Sequence, residues 1–263
     1  AASDVYKRQG WSSPVVIGCF AVAAAALIVF IVRELRCENP LLNLKLLGER
    51  NFGVSMAVLA IFGIGMLGGT YLLPLYMQKG LGYTAIMAGS VFLPVGLIQG
   101  VLSTCSGFLT RYIKPLFIAV TGILVMTLSF YFASRFTLHT THAQIMLVLY
   151  LRGFGMGLTF APLNDFSLMN LSQRDMASAA GISNSIKQLS GSVSIALLTV
   201  ILTGRTAFHS AQGGLSSAES YVAGISDDFL FVTFVSLASA LPFLWLLRPR
   251  RKAASFKSEG TGT

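Results

Sequence analysis

The sequence predicts an all-α, polytopic membrane protein with seven transmembrane helices. Three observations carry that expectation. Hydrophobic residues make up 54% of the 263-residue chain and charged residues 11%, where a soluble domain carries about 25% charged residues. Mean hydropathy is +0.71. Seven runs are apolar over the length that a spanning helix needs, about 20 residues. None alternates with period two, so an outer-membrane barrel does not fit. Helices satisfy their own backbone groups in lipid, as such runs require.

The chain opens Ala-Ala-Ser-Asp with no initiator Met, and its first ten residues, AASDVYKRQG, are polar. They lack the apolar core of a signal peptide. Residues 1–13 are therefore expected to be a non-native or truncated head, and the chain to be a fragment. The first span is expected over 14–32, followed by a polar link over 33–54. Six further spans are expected over 55–78, 84–108, 115–134, 143–170, 179–203 and 229–247. They form one bundle over 55–247, and a basic tail occupies 248–263.

The net charge of +9 would in a polar chain suggest nucleic acid. In an apolar one, lysine and arginine set orientation instead. Arg33, Arg36, Lys45, Arg50, Arg111, Lys114, Arg174, Arg248, Arg250, Arg251, Lys252 and Lys257 all fall on one side of the membrane. Only Lys79, Arg135 and Arg205 fall opposite, joined by Lys7 and Arg8 of the head. The first side should be cytoplasmic, which puts the C-terminus inside. The segment 204–228 becomes an outer loop, polar and acidic at its end (Glu219, Asp227, Asp228). His139 and His142 also fall outside, as solvated loop residues.

Small residues mark packing faces. Gly65 and Gly69, Gly96 and Gly100, and Gly153 and Gly157 are each four apart, so each pair shares a helix face that admits a close neighbour; Gly155 turns to the other side. Pro74, Pro94 and Pro162 sit inside spans, where each removes a helical hydrogen bond and can kink the axis. Contact plus kinks suits a bundle that gates; static packing is the plainer alternative.

Charges inside spans carry more information. Arg152 lies roughly 14 Å below the outer boundary at 1.5 Å per residue. A charge there costs at least ~2.5 kcal/mol on insertion scales and faces a bundle interior or wet cavity. Lys187 and Asp165 lie toward the cytoplasmic ends of their spans and are expected to pair across neighbouring helices. The alternatives are snorkelling for Lys187 and an interfacial position for Asp165. With Asn164, Asn184 and Gln188 these residues outline a polar path for transport and coupling. No catalytic residue stands out: HExxH, GxSxG and a phosphate-binding loop are all missing from the sequence. Gly153-Phe154-Gly155-Met156-Gly157 follows no strand and cannot serve a dinucleotide. Cys19, Cys37 and Cys105 form no disulfide framework or zinc cluster, so no metal is expected.

Several segments together resemble the major facilitator superfamily, specifically the fourteen-span EmrB/QacA-type drug:proton antiporters. ENPLLNLKLLGERNF (38–52) resembles that family's cytoplasmic link. TYLLPLYMQKGLGYTAIMAGSVFLPVG (70–96) resembles its span–turn–span signature. LRGFGMGLTFAPL (151–163) resembles its glycine-rich helix ending in proline, and MASAAGISNSIKQLSGSVSIAL (176–197) the helix that follows. The matches cover about residues 14–247, in order. The loop CSGFLTRYIKP (105–115) resembles the family's gating loop and keeps Gly107 and Arg111, but no acid follows Gly107. Lys187 stands where arginine is common, which keeps the charge and loses the planar fork.

The resemblance implies a fold and a function. The first span would be a linker helix and the other six the C-terminal bundle of a secondary transporter in the bacterial inner membrane. The function implied is proton-coupled efflux of drugs or other lipophilic or cationic small molecules, with the proton gradient as coupling ion and no cofactor. A facilitator-type metabolite or siderophore carrier is one alternative. A non-transporting scaffold or sensor is another. Implied partners are a small-molecule substrate, the bilayer, an N-terminal bundle of the same chain and a periplasmic adaptor protein, with no nucleic acid. The proton-binding acids are implied to lie in that N-terminal half.

Overall fold

The structure, a computed structural model, describes residues 14–37, 42–169, 171–211, 214 and 216–246. The expected head (1–13) and basic tail (248–263) lie outside them. Every regular element among the described residues is helical, and seven helical stretches are long and apolar enough to cross a membrane. The chain is thus a multi-pass membrane protein.

Helix α1 (Pro14–Arg36) stands apart from the rest. Most of its described side chains are exposed, the pattern of a helix whose apolar surface meets lipid. Glu34 near its end is buried because its Oε2 accepts the Leu42 backbone N–H at 3.0 Å. That bond leads into a short 3-10 turn, Leu44–Gly48.

Helix α2 (Arg50–Leu75) runs on through a wide π turn, Tyr76–Gly80, just after Pro74. It is the most interior span, 61% buried. Its glycines make this possible. A side chain at Gly68 would run into Ser194, and one at Gly65 would touch Phe130, Val232 and Ser236, so three neighbours close directly onto its backbone.

The span expected over 84–108 is not one rod. It consists of α3 (Ala85–Ser90) and α4 (Leu93–Leu109), with Val91 and Phe92 between them. Pro94 sits in the first turn of α4, where its missing N–H costs nothing; it restarts the helix rather than kinking its interior. Helix α5 (Pro115–Ala133) likewise begins on proline. Helix α6 (His142–Leu168) begins with a capping box in which Gln144 Oε1 accepts the Thr141 N–H at 2.9 Å. It carries Pro162 in its interior.

The last two spans correct the expected boundaries. Helix α7 extends from Met176 to Ala211, and α8 from Ser217 to Ala238, followed by α9 (Leu241–Leu246). The outer loop expected over 204–228 therefore shrinks to the few residues between Ala211 and Ser217. A second capping box is the reason. Ser216 Oγ accepts the Glu219 N–H at 3.2 Å while Glu219 Oε2 accepts the Ser216 N–H at 2.7 Å, which fixes a helix start twelve residues before the apolar run.

Around α2, the packing order places α6, α7 and α8 against it, α5 against α6 and α8, and α4 against α6. Tyr76 stacks on Phe136 at 4.9 Å, and Phe136 meets Phe229 edge-on at 6.3 Å. The Tyr76 hydroxyl donates to Thr137 O at 2.7 Å. This cluster ties the ends of α2 and α5 to the middle of α8 on the side away from the link.

Candidate functional site

The half of the bundle nearest the link is open. A recess of about 400 Å³ lies between α2, α4, α6 and α7. Met56, Leu59, Phe160 and Leu163 give it apolar walls, and Ser103, Asn164, Ser167, Ser183, Asn184 and Lys187 add polar groups. Each arrives by helical spacing. Asn164 and Ser167 are three apart on α6, and Asn184 and Lys187 three apart on α7, so each pair presents one face. The Lys187 ammonium lies over the Phe160 ring, 5.3 Å from its centroid. A cation on an aromatic face is attracted by the ring quadrupole, which seats the charge without a carboxylate.

Three of the sequence-derived candidates, Asn164, Asn184 and Lys187, thus share one recess. Asp165 does not join them. It is exposed, and Thr110 Oγ1 at the end of α4 donates to its Oδ2 at 3.5 Å. The expected Asp165–Lys187 ion pair is absent. One residue of helix turns a side chain by about 100°, which carries Asp165 away from the face that holds Asn164. Gln188 lines a neighbouring recess with Thr70, Tyr71 and Ser192.

Arg152 is buried, 3% exposed. Its Nη2 donates to Met66 O at 3.0 Å and to Thr70 Oγ1. Its Nε and Nη1 are buried with no hydrogen-bond partner among the described residues. The guanidinium therefore lies against α2, not in the open recess, and touches the neighbouring recess only through Thr70. Opposite it is Gly69 of α2, where an added Cβ would strike the Phe130 ring but lie at an ordinary 3.6 Å from Arg152 Cζ. Gly153 and Gly155, its neighbours in sequence, serve other contacts. Gly153 and Gly157 face Val95 and Gln99 of α4, while Gly155 faces Gly122 and Met126 of α5. Gly96, Gly100 and Gly107 meet nothing within 4 Å, so the first two take no close neighbour among the described residues. Arg111 lies over the Phe108 ring at 4.8 Å.

Sequence reasoning missed two charged clusters. At the link side, Asp175 accepts from Asn43 Nδ2 at 3.2 Å and from Ser172 Oγ at 2.7 Å. These bonds, Ser172 first, hold its carboxyl below the ordinary carboxylate value and fasten the link to the turn before α7. At the far side, Asp227 binds Arg205 Nε at 2.7 Å and His209 Nε2 at 2.8 Å. Its neighbour Asp228 is fully buried, and neither carboxyl oxygen has a partner among the described residues. The Ser216-x-x-Glu219 box was the available signal: a helix starting at 217 carries 227 and 228 into the bundle. Among the described residues no three His, Cys, Asp or Glu side chains come together as a metal site.

Comparison with known proteins matches this arrangement to one family. Residues 5–195 match the profile of the Major Facilitator Superfamily. The chain is 32% identical over 204 residues to the uncharacterised transporter YhcA of Bacillus subtilis, covering 78% of this chain and 38% of that protein. It is 31% identical over 211 residues to the multidrug export protein EmrB of Haemophilus influenzae, covering 80% and 41%. It is 26% identical over 247 residues to the lincomycin resistance protein LmrB of Listeria innocua, covering 92% and 52%. The chain spans about half the length of these relatives or less.

Proposed function

This chain belongs to the major facilitator superfamily, and from that premise we propose that it forms the C-terminal bundle of a secondary transporter. The transporter exports drugs or other lipophilic or cationic small molecules by alternating access, driven by proton uptake. The observation that carries the reading is the recess between α2, α4, α6 and α7, whose apolar walls carry a few amides and hydroxyls and one described cation, Lys187. Such a lining binds an amphiphilic molecule by burial and orients it by a few polar contacts. Relatives named for multidrug export and lincomycin resistance support the same class.

Alternating access needs a second bundle to rock against. The proposal supplies it from the same polypeptide, N-terminal to α1, with α1 as a linker. The surfaces of α4 and α7 support this, since the spans that contain them are only 17% and 28% buried. The bias of basic residues supports a bacterial inner-membrane location with the recess and C-terminus cytoplasmic. A periplasmic adaptor would then meet the outer ends of the helices.

Lys187 favours a second reading, a carrier of anionic metabolites, because a fixed cation attracts anions. One assay separates the two. Full-length protein is reconstituted in vesicles under an imposed pH gradient, and accumulation of a lipophilic dye is compared with that of an organic anion. Dye transport that survives Lys187→Gln supports drug efflux. Anion transport abolished by Lys187→Gln, with no dye transport in the wild type, would overturn it.

A further inference from the structure

Asp228 is not explained by packing. It lies on α8 at the four-residue spacing Ser220, Gly224, Asp228, Val232, one face of the helix. Gly224 on that face abuts Thr206 and Leu202 of α7, and Val232 abuts Gly65 and Gly68 of α2. Asp228 therefore points into the junction of α2, α7 and α8. It has no exposed surface, and neither carboxyl oxygen is hydrogen-bonded among the described residues. Ser220 Oγ and Thr206 Oγ1 nearby are also buried and unpartnered. At about 1.5 Å per residue it lies some 16 Å along α8 from Ser217.

An ionised carboxylate in such a place would be an uncompensated buried charge, among the most costly arrangements a fold can hold. The surrounding titratable groups do not relieve it. Arg205 and His209 of α7 both bind Asp227. Lys79, in the turn after α2, lies over the Tyr221 ring at 5.6 Å, and Tyr76 donates to Thr137 O. Arg135, beyond α5, donates to Tyr131. Tyr71 bonds with Thr199 at 3.2 Å. On its own helix Asp227 is an acid and Tyr221 a phenol. Among the described residues no cation reaches Asp228.

We propose that Asp228 is a proton-binding site of this bundle, neutral in the arrangement seen here. Loading transfers one proton from water on the outer side, past the partly exposed Asp227 and His209, to a carboxylate oxygen. Release returns that proton to water once the helices part and solvate the charge. The coupling role rests on the proton-driven reading above; the proton site itself does not.

The test uses full-length protein with Asp228→Asn, which copies the shape of a neutral acid and should fold. Infrared difference spectra across a pH jump should show the carbonyl stretch of a buried carboxylic acid in the wild type and lose it in Asp228→Asn. In vesicles, gradient-driven accumulation should fall about tenfold or more, the size of ordinary coupling between two sites, while substrate exchange without a gradient persists. Identical infrared spectra for the two proteins would overturn the proposal, whatever transport does. A lost band in a protein whose wild type ignores the gradient would keep the proton site and refute proton-driven efflux. Should Asp228→Asn not accumulate, Asp228→Glu keeps an acid and must move the band; an unmoved band overturns the assignment.

Discussion

Replacing Gly155 by alanine tests how tightly the bundle is built. A Cβ at this position would sit 2.8 Å from Met126 N, 2.9 Å from Gly122 O and 2.9 Å from Met126 Cβ. Two of those atoms are backbone and cannot rotate away. Ordinary contact begins near 3.4 Å, so α5 and α6 must part by about 0.6 Å or hold the strain. Overpacking of this kind costs about 1–3 kcal/mol. Alanine returns up to about 1 kcal/mol through its better helix propensity. The net loss should be roughly 1–2 kcal/mol, a factor of about 5–30 in the folding equilibrium. The control is Gly107→Ala, at a helical glycine with nothing within 4 Å, where alanine should be neutral or mildly stabilising. Denaturant titration of the purified full-length protein in detergent, followed by helicity, reads both variants. Gly122→Ala strains the same contact from the other side, against Gly155 O and Thr159 N at 2.9 Å. Combined with Gly155→Ala it should cost less than the sum of the two. Gly155→Ala as stable as Gly107→Ala would refute the close-contact argument.

Three other outcomes are expected. A C-terminal reporter active only outside the cytoplasm should be silent when fused after Thr263; full activity would reverse the topology. Arg152→Gln should abolish proton-driven efflux at normal protein level while Arg152→Lys keeps part of it, if the charge itself matters; wild-type efflux in Arg152→Gln would leave only a structural role through Met66 O and Thr70. Asp175 has its carboxyl held low by Ser172 and Asn43, so the contact should be intact above the unfolded value near 3.8 and be lost as pH falls through the lower folded value. Hydrogen exchange over residues 42–49 should accelerate only in that acid window, and Asn43→Ala should reproduce part of the effect at neutral pH.

The helices were legible because apolar length is a one-dimensional signal. Azimuth and helix ends were not. The seventh span was read from 229 because counting apolar residues passes over Ser217–Asp228, whose polar groups become acceptable only through partners. Asp227 finds Arg205 and His209 about twenty residues away on α7, and that pairing is invisible in sequence order. Depth placed Asp165 and Lys187 at the same end of the membrane, but the rotation of each helix sends one toward Thr110 and the other toward Phe160. The same geometry turns Gly153 toward α4 while Arg152 lies against α2. Adjacent residues diverge by about 100°, so Arg152 meets the facing helix at Met66 O and Thr70 of α2 instead. Pro94 was read as a kink because its place in a long apolar run hid the break at Val91 and Phe92.

The two halves of the bundle are built for different work. On the side away from the link, Tyr76, Phe136 and Phe229 interlock, Ser226 Oγ donates to Phe136 O at 2.9 Å, and the glycine notches of α2 bring Phe130 of α5 and Val232 of α8 onto its backbone. Separating these elements would expose aromatic surface and strand buried hydrogen-bonding groups together, so this half moves as one piece. On the link side, the recess replaces such contacts, and the spans beside it, α3–α4 and α7, bury the least surface of the six. Small rotations there change the recess at little cost in packing. Ser194 and Ser190 of α7 sit against Ile64 O and Gly63 of α2, while two leucine knobs, Leu198 on Gly68 and Leu67 on Gly191, hold the same two helices in register. In the proposed transporter, a clamp at the far end and a looser rim at the link end would pass displacement at the rim to the junction of α2, α7 and α8, where Asp228 is the buried acid.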